Sequence, residues 1–554
     1  MSFCRNTPQQ IKMTDQLLLL TEREMKRLKR SWAETFSAQV FPLINEDRFS
    51  VLYSDKQASR PNNPVNVVFG LLMLKEFFAQ TDEEATESLM FDIRYQYALH
   101  TSSREEQPIS RNSLSNFRTA VYLYDEEHGT DLIKEEIESH AKQFSKILNI
   151  SGKIKRMDSL MVSSSCKRLS RLEIIYSCVA RLIAEIDKNY AGFLSEPMKV
   201  YLESGHKNDT IYRSQEKDVD SKMKKLTDDA VTLFFQCKNH PVANTDEYKL
   251  LCRMLGDQTV AEGDRFTLKA GKDIASTSLQ NPTDPDATSR RKGNKFYTGY
   301  TGNFLENFDG KNAIIEQFSL EANIHSDQSF SKEIIESIGG GESELSVLVD
   351  GAYYSEEINN LAVEQNIKIV PTALVGKISE KMTGTANISI DEMTSLLRHC
   401  ANLKTPIANT FRDNTYIARF SKEQCTNCPH KEHCPVIEQK KSNLLKVSVE
   451  KLTRAKFIVA MRTTEYLSTA NKRAGVEGVP SVLRRRHHID TLPVRGLVRS
   501  KLWYGLKIGA INMKRLMKGV EKGGIISFLS QIFSKYSPFH SDMYFSMNIF
   551  MVAT

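Results

Sequence analysis

Up to about residue 150 the apolar positions recur at helical intervals. Val65, Val68, Phe69 and Leu72 have i, i+3, i+4, i+7 spacing behind Pro61 and Pro64, which predicts a helix. "TDEEATESLMFDIRYQYAL" reads as a second amphipathic stretch, acidic at its start, with Leu89, Phe91, Ile93 and Tyr97 following. "SRNSLSNFRTAVYLY" offers a Ser cap at Ser110 or Ser113 ahead of Leu114, Phe117 and Val121. Several short helices of this kind fit a DNA-binding bundle or an interaction bundle equally well.

The pattern changes at about Ser151. "KIKRMDSLMVSS" is strand-like. A long helical stretch then runs to about Gln258 with no sheet signal. "DATSRRKGNKFYTGYTGNF" and "NAIIEQFSLEANIHSD" alternate as strands do, and "ELSVLVDGAYYSEEINNLAVEQNIKIVPTAL" reads as strand, turn, helix, strand, an α/β unit. Residues 402–440 read as irregular, and helix is predicted to return from Asn443 to Lys518. The expected division is a helical domain over 1–150 and a mixed α/β domain over 151–520. The latter carries a helical insertion at about 170–278 and a Cys-rich insert at about 402–440. A tail over 521–554, apolar but broken by Ser, Lys, Pro and His, is expected to pack on the body.

Composition adds little by itself: 40% hydrophobic and 26% charged residues describe an ordinary globular chain with a sizeable core. No stretch approaches the roughly 20 apolar residues of a membrane span, and Leu17–Leu20 is too short and too charge-flanked for a secretory signal. Nine unevenly spread cysteines fit a reducing compartment, so a cytoplasmic location without membrane association is expected.

Charge distribution changes the picture more. The chain's net charge is only +7, yet Lys451 to Lys518 holds sixteen Lys or Arg against Glu465, Glu477 and Asp490. The remainder is therefore slightly acidic. So one-sided a segment suggests a phosphate-rich partner rather than a solvated helix face. Within it, Arg473 precedes Glu477 by four residues and Arg484 follows by seven, so a helix would set all three on one face. Pro480 interrupts such a helix.

Three carboxylates stand out. Asp158 lies inside an apolar run, where an unpaired carboxylate is costly; a turn cap or a pair with Lys155 or Arg156 would account for it without chemistry. Asp350 ends the run Leu345 to Val349 ahead of Gly351, at the carboxyl end of a strand, where α/β proteins bind ligands; Asp-Gly is equally a common turn. Glu477 among cations is either a surface ion pair or a metal ligand. Taken together, the three could hold two Mg²⁺ or Mn²⁺ ions through hard oxygen ligands, an arrangement suited to phosphodiester chemistry. In "CTNCPHKEHC", Cys425, Cys428 and Cys434 could hold a structural Zn²⁺, with His430 or His433 as a fourth ligand.

At these residues the chain resembles the DDE transposases of bacterial insertion sequences, in the branch with a helical N-terminal domain and a cysteine-containing insert. "RMDSLMVSS", "NPTDPDATSRRKGNKFYTGY", "SVLVDGAYYSEE" and "RAGVEGVPSVLRRRHH…LPVRGLVRSKLWYGLKIGAINMKRL" carry the resemblance, in the family's order, from about Phe49 to Lys518. The resemblance implies an RNase H-like fold. It implies that Asp158, Asp350 and Glu477 are catalytic, metal-binding residues. It implies DNA contacts from Arg473, Arg484, Arg485, Arg486, Arg495 and Lys501, and a homo-oligomer assembled on double-stranded element ends and target DNA, near the bacterial nucleoid. Arg484 stands where the family has a lysine, and Ala470 where it often has a tyrosine. The expected function is metal-dependent strand cleavage and strand transfer. The alternative is an inactive, transposase-derived DNA-binding protein.

Overall fold

The computed structural model describes residues 1–6, 14–54, 61–102, 109–213, 216–339, 341, 343–374, 384–391 and 393–523. The tail expected to pack on the body lies outside them from residue 524 onward. The chain divides into two compact units, Met1–Ile334 with Glu477–Thr554, and Ile335–Val476. Antiparallel strands in one unit and a parallel strand pair in the other, with helices in both, make a mixed α+β fold compatible with an RNase H-like core.

The first unit opens with seven helices: α1 (Glu22–Leu28), α2 (Trp32–Gln39), α3 (Val65–Phe78), α4 (Asp82–Phe91), α5 (Ile93–Ala98), α6 (Arg111–His128) and α7 (Leu132–Ile147). The apolar spacing in α3 predicts one buried face, but the helix is buried nearly all round, Lys75 and Glu76 included, as befits the centre of a bundle. In α6, Ser110 accepts a hydrogen bond from Ser113 N, and Leu114, Phe117 and Val121 are buried, as the pattern predicts. The stretch read as one helix after Thr81 is two. Asp92 leaves helical geometry and caps α5 by accepting from Arg94 N, so Phe91 falls on the outside, 79% exposed.

Strand β1 (Ile154–Ser163) follows. Helices α8 (Arg171–Asn189), α9 (Val219–Cys237) and α10 (Asp246–Gln258) then close around their own apolar core. That core includes Cys178, whose thiol burial pushes up to about 12, and Cys237. A short hairpin of β2 (Thr259–Glu262) and β3 (Arg265–Leu268), not evident in the pattern, ends this insertion. Next come β4 (Thr288–Lys292), β5 (Lys295–Phe308) and β6 (Ala313–Ala322). β5 pairs antiparallel with β1 from Ile154↔Phe308 to Ser163↔Gly299, and also with β4 and β6.

In the second unit, β7 (Leu345–Val349) and β8 (Ile367–Pro371) pair in parallel, joined by α11 (Glu356–Glu364), which is the α/β unit expected from the pattern. The region read as irregular is partly sheet. After β9 (Ser389–Asp391) and β10 (Leu396–His399) come β11 (Ala408–Arg412), β12 (Thr415–Phe420), the short helix α12 (Lys422–Thr426), β13 (Ile437–Glu438) and β14 (Asn443–Ser448). The last four strands form a small sheet in the order β11-β12-β14-β13. Among the described residues its core holds seven that are buried: Ile388, Leu397, Ala418, Phe420, Leu445, Val447 and Leu452. Helix therefore returns at α13 (Val449–Ala460), after a strand, and continues in α14 (Thr464–Ala470).

The first unit resumes at Glu477 with α15 (Gly478–Arg485) and the long α16 (Leu497–Gly523). Helix α16 joins the bundle through a buried charge network. Lys507 Nζ lies 2.8 Å from Glu76 Oε2, Lys75 Nζ lies 3.0 Å from Glu76 Oε1, and Lys75 also reaches Asp82 at 3.7 Å. Burial alone would raise the Glu76 carboxyl, but Lys507 and Lys75 hold it below the usual range. Removing one partner of such a network would leave a buried charge uncompensated.

Candidate active site and nucleic-acid interface

Asp158 sits in the middle of β1 opposite Phe304, partly buried, its Oδ1 accepting from Ser159 N at 3.0 Å. The neighbouring cations have acidic partners of their own. Lys155 pairs with Glu316, and Arg156 Nε donates to the fully buried Glu306 at 2.7 Å, while its guanidinium lies 3.8 Å from the Phe308 ring. Above the strand lies Tyr504 of α16, fully buried, its hydroxyl donating to Asn303 O at 3.3 Å. Gly302 makes this approach possible: a Cβ there would stand 2.9 Å from the Tyr504 ring and 3.1 Å from Leu160. Burial, then the charge of Asp158, pushes the Tyr504 phenol well above its usual range, so it stays protonated beside the carboxylate. Nothing near Asp158 in the sequence signals Tyr504.

Glu477 ends a 3-10 turn (Asn471–Glu477) and occupies the residue before α15. Pro480 lies in the first turn of α15, where backbone N–H groups have no helical acceptor, so it does not break the ladder. Val479 and Leu483 bury one face. Arg484, at the end of α15, donates to Met161 O on β1 at 3.1 Å and pairs with Asp490 at 3.1 Å. Asp490 in turn accepts from Ser163 N at 3.3 Å. The helix that begins after Glu477 is thus clasped to the strand that carries Asp158.

Asp350 belongs to the other unit. It follows β7, is exposed, and its Oδ1 accepts from Gly351 N at 2.6 Å, capping the 3-10 turn Gly351–Tyr353. Behind the turn Tyr353 is buried, and the Tyr354 ring stacks on Phe457 of α13 at 5.4 Å. Among the described residues, no group of three or more His, Cys, Asp or Glu stands ready at ligating distance of one point.

The basic residues expected at DNA have different surroundings. Arg485 is exposed, with no ion-pair partner among the described residues. Arg495 is exposed and donates to Ser165 O at 3.0 Å, Lys501 pairs with Glu321 at 3.3 Å, and Arg486 donates to Phe77 O at 2.9 Å. Arg473 is buried at 7% exposure, in the other unit. Arg486 also lines a groove of about 690 Å³ with Lys75, Arg111, Arg118, Arg499 and Lys507, none of the last five of which was singled out as a DNA contact from sequence. On the groove's wall the Trp503 ring lies 4.4 Å from Lys75 Nζ, 5.2 Å from the Arg118 guanidinium and 5.6 Å from Lys507 Nζ. His487, beside it, is buried, and burial followed by Lys507 lowers its pKa to about 4.

All nine cysteines are free thiols. Cys425, Cys428 and Cys434, grouped by sequence, line one small cavity together with His430 and with Cys400, a residue the motif spacing did not include; His433 is exposed.

Two family models match the chain. "Transposase domain (DUF772)" covers residues 26–120, within the helical bundle, and "Transposase DDE domain" covers residues 399–517, which include Glu477, the clasp of α15 and the cysteine insert. No curated protein matches. A cryo-EM structure of the piggyBac transposase synaptic complex with hairpin DNA is similar at 10% identity, covering 90% of this chain and 76% of that one, with a TM-score of 0.29, too low to carry an argument. No helix among the described residues is long and apolar enough to cross a membrane. A transposase domain match in its bundle and a transposase DDE domain match towards its C-terminus together support a DDE transposase of the insertion-sequence type.

Proposed function

We propose that this transposase cleaves DNA at the ends of its element and joins them to a target, using Asp158, Asp350 and Glu477 as the carboxylates of a divalent-metal site. The observation that carries the reading is the attachment of α15, the helix that begins after Glu477, to β1, the strand that carries Asp158, through Arg484 donating to Met161 O at 3.1 Å.

The donor set fits hard cations such as Mg²⁺ or Mn²⁺, since all three groups offer carboxylate oxygens and no thiolate or imidazole. Such ions, when bound, supply the positive charge that in-line displacement at phosphorus requires. The chain's own groups then position the reactants. The clasp of Arg484, Met161 and Asp490 fixes α15, and with it Glu477, to β1. Tyr504, kept as a phenol, packs over β1 beside Asp158 without adding a second negative charge. Arg485 and Arg495, both exposed, and the basic groove along α16 offer contacts to the backbone of double-stranded DNA.

The test is single-turnover nicking of an element-end duplex with saturating enzyme and Mg²⁺, beside gel-shift affinity. Asp158→Ala, Asp350→Ala and Glu477→Gln should each abolish nicking while binding holds. For Glu477→Gln, binding holds or tightens, because a negative charge leaves a basic segment. Near wild-type nicking by any one of the three removes that residue from the site. Retained DNA binding with no nicking by the unaltered protein would favour a DNA-binding role without catalysis.

A further inference from the structure

The small sheet of the second unit is under-supported for its size. Among the described residues of 388–452, seven apolar side chains are buried in their own cluster. So small a core is commonly supplemented by a disulfide or a metal. The cysteines here are free thiols, so no disulfide contributes.

Four of the chain's nine cysteines are placed on this cluster's rim. Cys400 and Cys425 pack directly against the cluster. Cys400 follows β10 in a tight turn, with Leu403 N donating to Cys400 O at 2.9 Å and Cys400 N donating to Lys404 O at 3.0 Å. Cys425 lies in α12, and Cys428 and Cys434 bracket a second tight turn, with Lys431 N donating to Cys428 O at 3.1 Å. All four line one cavity of about 30 Å³. A water needs roughly 10–15 Å³ by the same measure, so the space suits a single atom-sized occupant. The sulfurs are not yet at ligating distance of one point, and side-chain rotation would have to close them.

Four sulfur donors around one small cavity suit a soft or borderline cation.

We propose that Cys400, Cys425, Cys428 and Cys434 together ligate one structural Zn²⁺, with Cys400 as the fourth ligand in place of a histidine. Such a site is closed and tetrahedral, its binding free energy adds to folding, and it leaves no coordination position for substrate. The inference is independent of the catalytic metal pair. The spacing CxxC with a third Cys leaves the fourth ligand open between His430 and His433. Cys400 is invisible to that count because a strand pair, β11 and β12, intervenes in the chain.

The full chain, purified with zinc in the growth medium, should carry about one zinc equivalent by elemental analysis. Cys400→Ser should lose it, and His430→Ala and His433→Ala should keep it. Exchange of Co²⁺ into the unaltered protein reads the ligand set without any variant, because thiolate-to-cobalt charge-transfer intensity grows with the number of sulfurs. Four sulfurs are expected, falling by about one quarter in Cys400→Ser if that variant still binds. Three sulfurs in the unaltered protein, or loss of metal in His430→Ala with retention in Cys400→Ser, would overturn the assignment of Cys400. An unaltered protein that carries no zinc and gives no cobalt band would overturn the site altogether.

Discussion

His487 shows how a single side chain ties stability to pH. It is buried beside Lys507, and its pKa falls from 6.5 to about 4. The unfolded chain therefore binds a proton between those values that the folded chain refuses, and stability must rise with pH across that window. The loss on going from about pH 6.5 to pH 4 amounts to about 3 kcal/mol at most. A His487→Gln variant should lack this portion of the acid sensitivity, and melting temperatures measured at closely spaced pH values for the two proteins should converge towards acid. Parallel curves would show that other groups govern the transition. At this scale the sequence was partly legible. An aspartate inside an apolar run announces itself, because burial of a carboxylate is costly. Tyr504 does not, because it reaches Asp158 through space from α16, and the glycine that admits it, Gly302, lies on a third element.

Among the elements, α15 is the instructive case. Its cations were read together as phosphate contacts because charge alone separates none of them. Their partners do: Arg484 holds Met161 O and Asp490, Arg486 holds Phe77 O, and Arg485 is exposed. Asp490 cannot itself attract phosphate. If the clasp positions Glu477, Asp490→Ala should slow single-turnover cleavage much as Arg484→Ala does. The double variant should then be no slower than the worse single one. Their coupling in stability should stay below about 1 kcal/mol, since both side chains are substantially exposed. Faster or unchanged cleavage in Asp490→Ala would return Arg484 to the role of a phosphate contact. The strands of the cysteine insert were missed for a different reason. β11 and β12 are short and mostly half-exposed, so their apolar alternation is too weak to rise above turn-forming neighbours. The α/β unit around Asp350 was legible because β7 is a mostly apolar run ended by Asp-Gly.

For the molecule as a whole, the concentration of positive charge between Lys451 and Lys518 predicts DNA binding that weakens steeply with salt. Fixed surroundings refine which residues govern that slope. Replacing the exposed Arg485 by Gln should lower the log–log slope by about 0.9 if it meets a phosphate. Lys501→Gln should lower it less, since Glu321 already offsets that charge. Filter-binding titrations over a range of NaCl concentrations would separate the two, and equal slopes in all three proteins would show that these cations face only solvent. Sequence charge indicated the segment. It could not indicate the groove, which is assembled partly from α3 and α6, where Lys75, Arg111 and Arg118 lie among neutral and acidic neighbours.

That groove also holds one of only two tryptophans in the chain, Trp503; the other, Trp32, is packed against Phe78 and Tyr95. Three cations crowd the Trp503 ring, and a polyanion bound in the groove would change the electric field that the indole experiences. The protein therefore carries its own optical gauge. Removing Trp32 by Trp32→Phe would leave a single indole whose emission reports, without any added label, the moment a nucleic-acid backbone enters the groove and the moment it leaves.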